Sequence, residues 1–463
     1  MEDKNVTRRL AEFVVRTEYD DLPPEAIKAA KMMFLDTLAC GIAGYVFSKE
    51  EVAPVFKVIE EIGGQEECTL LVSGKKTSWF NAILANGTLM HSIDYDNTRI
   101  GAMVHPAAVV VPAVLTFSEK LGSSGKETIL AAVLANEVIY RTAMSVMPTH
   151  FDFWHSTGTN GTFGAAVAAG KLLGLNADEM EKAIGIAADQ ASGFARCVEF
   201  GDLTKSLHAG LTSAKGALSA ILVKYGATGP KGILEYPRGY CSAYSKEPKV
   251  EKIVHDLGKS FDIVNNYPKF YPSNLGTHCA IQAALKIIRT NNISADEVLR
   301  VNVNIFSLAV ALLSNRQLDT SLSARMSLPY CVAVTIIDNE LGMDQFKRER
   351  LRDHNIKELM NNIDLQADPE FDKYFPEMYP TSVEIMTKDG QRFSEVEYYP
   401  KGFLKNPISE EEMENKFDSL CSYAFEKRSI NDLKGTIQQM ESLKNIFELM
   451  KLLKGDKHVS KKG

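Results

Sequence analysis

The sequence predicts a mainly α protein in which a large all-helical domain is joined to a smaller α+β domain. Three observations predict it. Ala-rich segments with apolar residues at helical spacing fill the chain to about residue 260. A β-branched run (Val298, Val301, Val303, Ile305) and a hairpin signal at Asp389-Gly390 are confined to the middle. Helical spacing then returns over residues 409–454. At 463 residues the chain also exceeds the roughly 250–300 at which one hydrophobic core stops growing, which calls for two packed domains.

The elements follow in order. Val6, Leu10, Phe13 and Val14 mark a first amphipathic helix. Pro23 and Pro24 open a second, which carries Ile27, Ala30, Met33, Phe34 and Leu38 on one face. Further helices are predicted over 79–90, 107–121, 126–147, 161–173, 177–190 and 206–225. Asn176, followed by Asp178 and Glu179, suits a helix start, because its side chain can accept from orphan amides and the acids suit the positive end of the dipole. After residue 261 a helix over 278–290 precedes a strand over 297–306. Strands over 381–388 and 391–399 flank Asp389-Gly390, which suits a type I′ turn. In the tail, Ile430, Leu433, Ile437, Met440, Leu443 and Ile446 lie near helical spacing, so this segment is expected to pack back onto the first domain.

Composition excludes several classes. Lys+Arg 52 against Asp+Glu 59 gives a net charge of −7, so no global positive field exists for a nucleic acid, although a small anion can still find a basic cleft. The seven cysteines include no CxxC pair and read as reduced cytosolic thiols. The amino terminus has no apolar core of a secretory signal. The apolar run 107–117 contains Pro112 and is about half the roughly 20 residues that span a bilayer. The expectation is a cytoplasmic protein with no membrane or nucleic-acid partner.

Five segments gather polar groups. The first holds His91, Asp94, Asp96, Asn97 and Thr98 and leads to His105-Pro106; an Asp can orient an imidazole and stabilise its charged form, as acid/base work requires. It shows no recognised metal-ligand spacing, so no metal is expected. The second, residues 154–161, puts His155, hydroxyls and glycines before an Ala-rich helix, where amides can face an anion. It lacks the ending of a P-loop and no strand precedes it. The third places Lys205 and His208 at i,i+3 on one helix face. The fourth, residues 269–278, brings Lys269 and His278 to the junction of the two composition zones. The fifth sets Tyr330 before an apolar run. Each segment also has a plainer reading: a polar loop, a capped turn, an exposed lysine, a hinge, a packed aromatic.

In this order the five segments resemble the MmgE/PrpD family, whose members include 2-methylcitrate dehydratase, cis-aconitate decarboxylase and iminodisuccinate epimerase. The resemblance covers nearly the whole chain. It implies a helical domain built from both ends (residues 1–267 and 407–463), an α+β lid (268–406), a homodimer, and catalysis on a small anionic carboxylate without metal or organic cofactor. By the same resemblance Asp94, Thr98, His105, His155, Lys205, His278 and Tyr330 match positions lining the active site. The family's acidic motif commonly runs Asp-x-Asp-Asp; here Asn97 takes the last place.

Reactions of this family break or make bonds beside a carboxylate, with enolate character developing, so the site needs fixed cations and donors. Lys205 is expected to supply the charge, His105 and His155 to act as the acid/base pair, and Asp94 to orient an imidazole. Tyr330 is expected to donate to a leaving hydroxyl, and Lys269, His278 and Thr98 to bind substrate. Dehydration of a citrate-like hydroxy acid such as 2-methylcitrate is the favoured outcome, with decarboxylation and epimerisation sharing its machinery. A noncatalytic helical interaction protein is the contrasting class.

Overall fold

The structure, a computed structural model, describes residues 5–456. Helices dominate its first half: α1 (Val6–Arg16), α2 (Pro24–Phe47), α3 (Lys49–Ile62), α4 (Trp79–His91), α5 (Ala107–Leu121), α6 (Gly125–Val146), α7 (Ser156–Leu172), α8 (Ala177–Gln190), α9 (Arg196–Phe200) and α10 (Leu203–Lys224). Local chemistry sets several of their starts. Pro24 occupies the first turn of α2, where a missing N–H costs nothing. Asn176 accepts from the amides of Asp178 and Glu179 at 2.9 and 3.0 Å, and Glu179 returns to accept from the Asn176 amide, a closed capping box. The all-helical expectation needs one amendment: β1 (Cys68–Thr69) and β2 (Lys76–Thr77) form a two-stranded antiparallel ribbon between α3 and α4.

Small residues let the helices approach closely. A Cβ on Gly210 of α10 would collide with the Leu84 carbonyl oxygen of α4, and one on Gly87 would stand 2.9 Å from Gly210 Cα. Glycine at this crossing brings the last turn of α4 against the first turns of α10. That contact places His91 beside Lys205.

The middle of the chain adds α11 (Tyr240–Tyr244), α12 (His278–Asn291), α13 (Ser307–Leu313), α14 (Ser321–Arg325) and α15 (Leu328–Asp338). Its sheet has the order β4-β3-β5-β6, with β3 (Val298–Ile305), β4 (Ile363–Ala367), β5 (Thr381–Thr387) and β6 (Arg392–Glu397). β3 runs parallel to β4 and antiparallel to β5, with Val301 opposite Ile363 and Val303 opposite Val383. Val383 and Ile385 point inward from β5 while Ser382, Glu384 and Met386 are less buried, the alternation of a sheet with one covered face. The β5–β6 turn is not type I′. Only Gly390 has positive φ (89°), and the Gly390 amide donates to Thr387 O, so the loop is a type I turn closed by a left-handed glycine.

Apolar side chains form two large cores. One draws on residues from Val6 to Ile263 and again from Met413 to Leu453; the other on residues from Tyr271 to Phe403, with Ile100. The tail is not one helix but three, Glu410–Cys421, Lys427–Gln438 and Phe447–Leu452, whose Phe417, Leu433 and Leu449 are fully buried in the first core. Two helices, α2 and α6, are long and apolar enough to cross a membrane, yet 72% and 89% of their apolar windows are buried inside the protein, as in core helices. All seven cysteines are buried and unpaired.

Candidate active site

Between the two cores lies a pocket whose lining mixes polar residues (Thr98, His105, His155, Lys205 and Lys269) with apolar ones (Met103, Leu275, Phe306, Leu312 and Leu313). Roomier clefts of about 540 and 560 Å³ open elsewhere on the surface, but among the described residues no imidazole lines them.

The cluster at this pocket is built on one carboxylate. Asp94 follows α4 in a left-handed conformation (φ 49°), which a short polar side chain tolerates. Its Oδ1 accepts from Lys205 Nζ at 2.8 Å and lies 2.9 Å from Lys269 Nζ, and Lys269 also donates to the Asp94 carbonyl at 2.9 Å. Both lysines are almost fully buried (2% exposed). Burial works to raise the Asp94 pKa, but the two ammonium groups overcome it and hold the carboxyl far below its usual range. Burial pushes Lys269 down, against the pull of Asp94. Asp94 Oδ2 is buried and has no hydrogen-bond partner among the described residues.

The imidazoles belong to the neighbouring carboxylate. His91 Nδ1 bonds both oxygens of Asp96 at 2.9 and 3.0 Å, and its Nε2 accepts from Lys205 at 2.9 Å. This fixes the neutral tautomer with the proton on Nδ1. Burial lowers its pKa to about 4, despite Asp96. His105 donates from Nδ1 to Asn97 O at 3.0 Å, with Asp96 Oδ2 at 3.4 Å, so its Nε2 is the nitrogen left for the pocket. Burial lowers this pKa too, opposed by Asp96. Asp96 remains well below the ordinary carboxylate range, because facing two imidazoles outweighs its burial. His155 turns Nδ1 toward His208 Nδ1 at 3.1 Å. Burial, then His208 and Lys205, keep it neutral.

Several expected positions therefore change meaning. Asp94, read as the group that orients an imidazole, instead positions two lysines; Asp96 does the orienting. Thr98 lines the pocket and fastens it, exchanging backbone hydrogen bonds with Tyr267 at 2.9 and 2.8 Å. His278 does not reach the wall. It is fully buried at the start of α12, with Nε2 donating to Ser273 O at 3.3 Å and its ring edge-on to Tyr271. Tyr330 is also not brought into the cluster: its hydroxyl donates to Gln345 O, and its ring packs near Phe346 in the second core. The residues before α7, expected as an amide-lined turn, are the helix itself from Ser156 onward; Thr157 Oγ1 accepts the His105 amide and Ser156 Oγ donates to Ala102 O, so these hydroxyls anchor the His105 loop.

Two supporting cations were not singled out from the sequence. Lys416, from the tail helix Glu410–Cys421, donates to the carbonyls of Tyr95 and Lys269 at 2.8 and 2.9 Å while paired with Asp36 at 2.7 Å, tying the Asp94 loop and the Lys269 loop to the first core. Arg325 is fully buried, donates to Pro272 O at 2.6 Å and stacks over Phe346. Burial lowers its pKa to about 10, which leaves it charged at neutral pH.

Among the described residues, two groups of side chains have ligand atoms close enough for a metal: His91, Asp94, Asp96 and His105, and separately His155, Cys197 and His208. In the first, Lys205 and Lys269 already occupy the cation positions around Asp94.

Comparison with known proteins follows the same outline. Residues 8–253 match the MmgE/PrpD N-terminal domain and residues 271–439 the MmgE/PrpD C-terminal domain. The chain is 25% identical to the cis-aconitate decarboxylase of Aspergillus terreus (strain NIH 2624 / FGSC A1156) over 97% of its own length and 96% of that protein. It is 26% identical to the cis-aconitate decarboxylase of Homo sapiens over 98% and 95%, and 25% identical to the cis-aconitate decarboxylase-like protein oryM of Aspergillus oryzae over 98% of each.

Proposed function

The chain belongs to the MmgE/PrpD family, and from that premise we propose that it is a cofactor-independent lyase that decarboxylates a small unsaturated polycarboxylate of the cis-aconitate kind. The observation that carries this reading is the mixed lining of the pocket. Lys205 and Lys269, held by Asp94, line it together with the apolar Phe306, Leu312 and Leu313. Each ammonium has three N–H groups. Lys205 uses two, on Asp94 and His91, which leaves one for a substrate carboxylate.

That mixture suits loss of carbon dioxide. A carboxylate seated against apolar residues loses hydration and leaves as a neutral molecule, while the carboxylates that stay gain charge and are met by fixed cations. For cis-aconitate, the bond from the methylene carbon to its carboxylate breaks and its electron pair forms a new double bond. The pair of the old double bond moves to the carbon next to the remaining terminal carboxylate, and a proton is delivered there. His105 suits the delivery. Its Nε2 is the nitrogen left for the pocket, and Asp96 behind its Nδ1 stabilises the imidazolium, which a polyanionic substrate also favours.

The named relatives support this outcome over the dehydration of 2-methylcitrate that the sequence favoured. Dehydration also asks for a donor to the leaving hydroxyl, and Tyr330 bonds a carbonyl away from the wall. A noncatalytic interaction protein would have no need to converge charged side chains from four distant segments on a buried pocket. Residues 268–406, which supply Lys269, Phe306 and Leu312, act as the lid that excludes water.

The test is turnover of cis-aconitate, citrate and 2-methylcitrate followed by proton nuclear magnetic resonance and carbon dioxide release. We expect equimolar carbon dioxide and a methylene dicarboxylate from cis-aconitate, with one deuterium incorporated in heavy water. Water loss from a hydroxy acid as the sole reaction would overturn the decarboxylase reading.

A further inference from the structure

His155, Cys197 and His208 come from three separate elements, the residue before α7, the short helix α9 and the second turn of α10. His155 Nδ1 and His208 Nδ1 are 3.1 Å apart, and Cys197 Sγ is 3.7 Å from His208 Nδ1. All three ligand atoms lie within 4.8 Å of one another. His155 and Cys197 are 2% and 5% exposed and His208 is half-buried, so the group lies at the edge of the interior. Gly193, at φ 133°, lays its backbone against the His208 ring; a Cβ there would meet the ring at 3.1 Å.

The two spacings at His208 Nδ1 are close to those of a tetrahedral zinc. With Zn–N of about 2.0–2.1 Å and Zn–S of about 2.3 Å, ligand atoms on one tetrahedron stand roughly 3.3 Å (N to N) and roughly 3.6 Å (N to S) apart. His155 Nδ1 and the Cys197 thiol both close on the same His208 nitrogen, so three donor atoms converge on one point. Two imidazoles and a thiolate also form a borderline-soft set that prefers Zn²⁺ to the hard cations. The four-residue group at Asp94 offers no such opening, since ammonium groups already fill it.

We propose that His155, Cys197 and His208 form a Zn²⁺ site whose fourth position is left to water, and that occupancy switches the enzyme off by holding His155, a wall residue of the pocket, on the metal. On binding, the Nδ1 proton between the two imidazoles passes to solvent while that ring takes one up at Nε2, and the Cys197 thiol gives up its proton to solvent; both Nδ1 atoms and the sulfur bond the metal, and no oxidation state changes. The inhibitory half of the proposal rests on the lyase reading above, and the binding half does not.

The experiment is therefore divided. Zn²⁺ affinity of the whole protein is measured by competition with a chromophoric chelator, and Co²⁺ is used as a visible probe. Wild type should take one equivalent, and Co²⁺ should give the intense tetrahedral bands and thiolate charge-transfer absorption of a sulfur-containing site. Loss of even a supporting residue around a metal costs about 10–100-fold in affinity, so Cys197→Ser and His208→Gln should each weaken Zn²⁺ by at least that much, and Cys197→Ser should abolish the charge-transfer band. Melting temperatures of both variants establish that they are folded. Undiminished one-equivalent binding in either folded variant, or a weak octahedral Co²⁺ spectrum in wild type, would overturn the site. In the activity arm, Zn²⁺ should inhibit wild type and spare Cys197→Ser; equal inhibition of both would overturn the switch. A protein that binds Zn²⁺ at this site but, when stripped of metal, turns over no carboxylate refutes the lyase reading and with it the switch, and leaves the metal site standing.

Discussion

Lys205 of α10 and Lys269 of the loop preceding α12 direct their ammonium groups at the same oxygen, Asp94 Oδ1, from 2.8 and 2.9 Å. Two cations that close repel each other, and burial strengthens the repulsion. Asp94 makes the pair tolerable. It also aims both at the pocket, so one carboxylate presets the field a polyanionic substrate meets, and no side chain has to reorganise when charge develops.

Removing one of those cations should separate chemistry from folding. Lys205→Met keeps the stem and loses the charge. We expect kcat/KM to fall by a factor of about 100 or more, since a lost preorganised donor costs roughly 2.7–4 kcal/mol of transition-state stabilisation. Lys205→Arg should rescue poorly, because a planar guanidinium cannot reproduce two bonds to Asp94 and His91 and keep a third for substrate. Turnover per folded molecule decides, and near-normal turnover in a folded Lys205→Met would refute the role.

Asp94→Asn tests the other half of the relationship. It leaves two buried lysines without their shared counter-charge, and breaking a buried pair costs about 3–5 kcal/mol. Urea unfolding should show a loss of that order at pH 7, larger than for Lys205→Met, where Lys269 still pairs with Asp94. An Asp94→Asn protein as stable as wild type would mean that the lysines are not charged together.

Much of this architecture was legible in the sequence, and the misses have definite causes. The capping signal at Asn176 and the alternation around Val301 and Val383 are local, and the elements they predict are present. Ser156–Gly161 was read as a turn because Ser, Thr and Gly are poor helix formers, but tertiary bonds from Ser156 and Thr157 to the His105 loop override propensity there. Asp94 and Asp96 could not be told apart from spacing, since the left-handed backbone at Asp94 decides which carboxylate meets lysines and which meets imidazoles. His278 follows Asn274, Leu275 and Gly276, which line the pocket, and Tyr330 lies on α15, yet both side chains are buried away from the wall, which only the fold determines.

Asp96→Asn should act on protonation rather than on binding. An amide can still accept from His91 or His105, but it no longer stabilises an imidazolium. The His105 pKa should fall, so kcat should drop at neutral pH and its optimum should move to lower pH, with KM little changed. An unshifted pH profile of kcat would remove Asp96 from the proton path.

Exhaustive chelation should leave turnover intact or raise it. Lysine ammonium groups hold the charged positions around Asp94, and the separate His155, Cys197 and His208 group is proposed as an inhibitory site. Loss of activity on chelation, restored by one divalent metal, would reverse this and make the metal part of the reaction.

The buried imidazoles also set how stability depends on pH. Burial lowers the pKa of His91 and His150 to about 4 and that of His278 to about 3, against about 6.5 in an unfolded chain. A depressed folded pKa means that the unfolded state binds protons first as pH falls. The contribution is therefore fully present above pH 6.5 and is lost progressively down to pH 4 and below. Asp94, held low by its lysines, adds nothing to this window, because its own contribution is lost only below about pH 4, as an unfolded carboxylate begins to protonate. The urea midpoint should thus fall steeply from pH 6.5 to pH 4.5 while staying level from pH 7 to pH 8. His278→Asn removes one of these groups, and the slope in that window should shrink by up to about 1.4 kcal/mol per pH unit, the worth of one proton. A midpoint that rises on acidification, or a slope untouched in a folded His278→Asn variant, would show that these imidazoles are charged in the native protein.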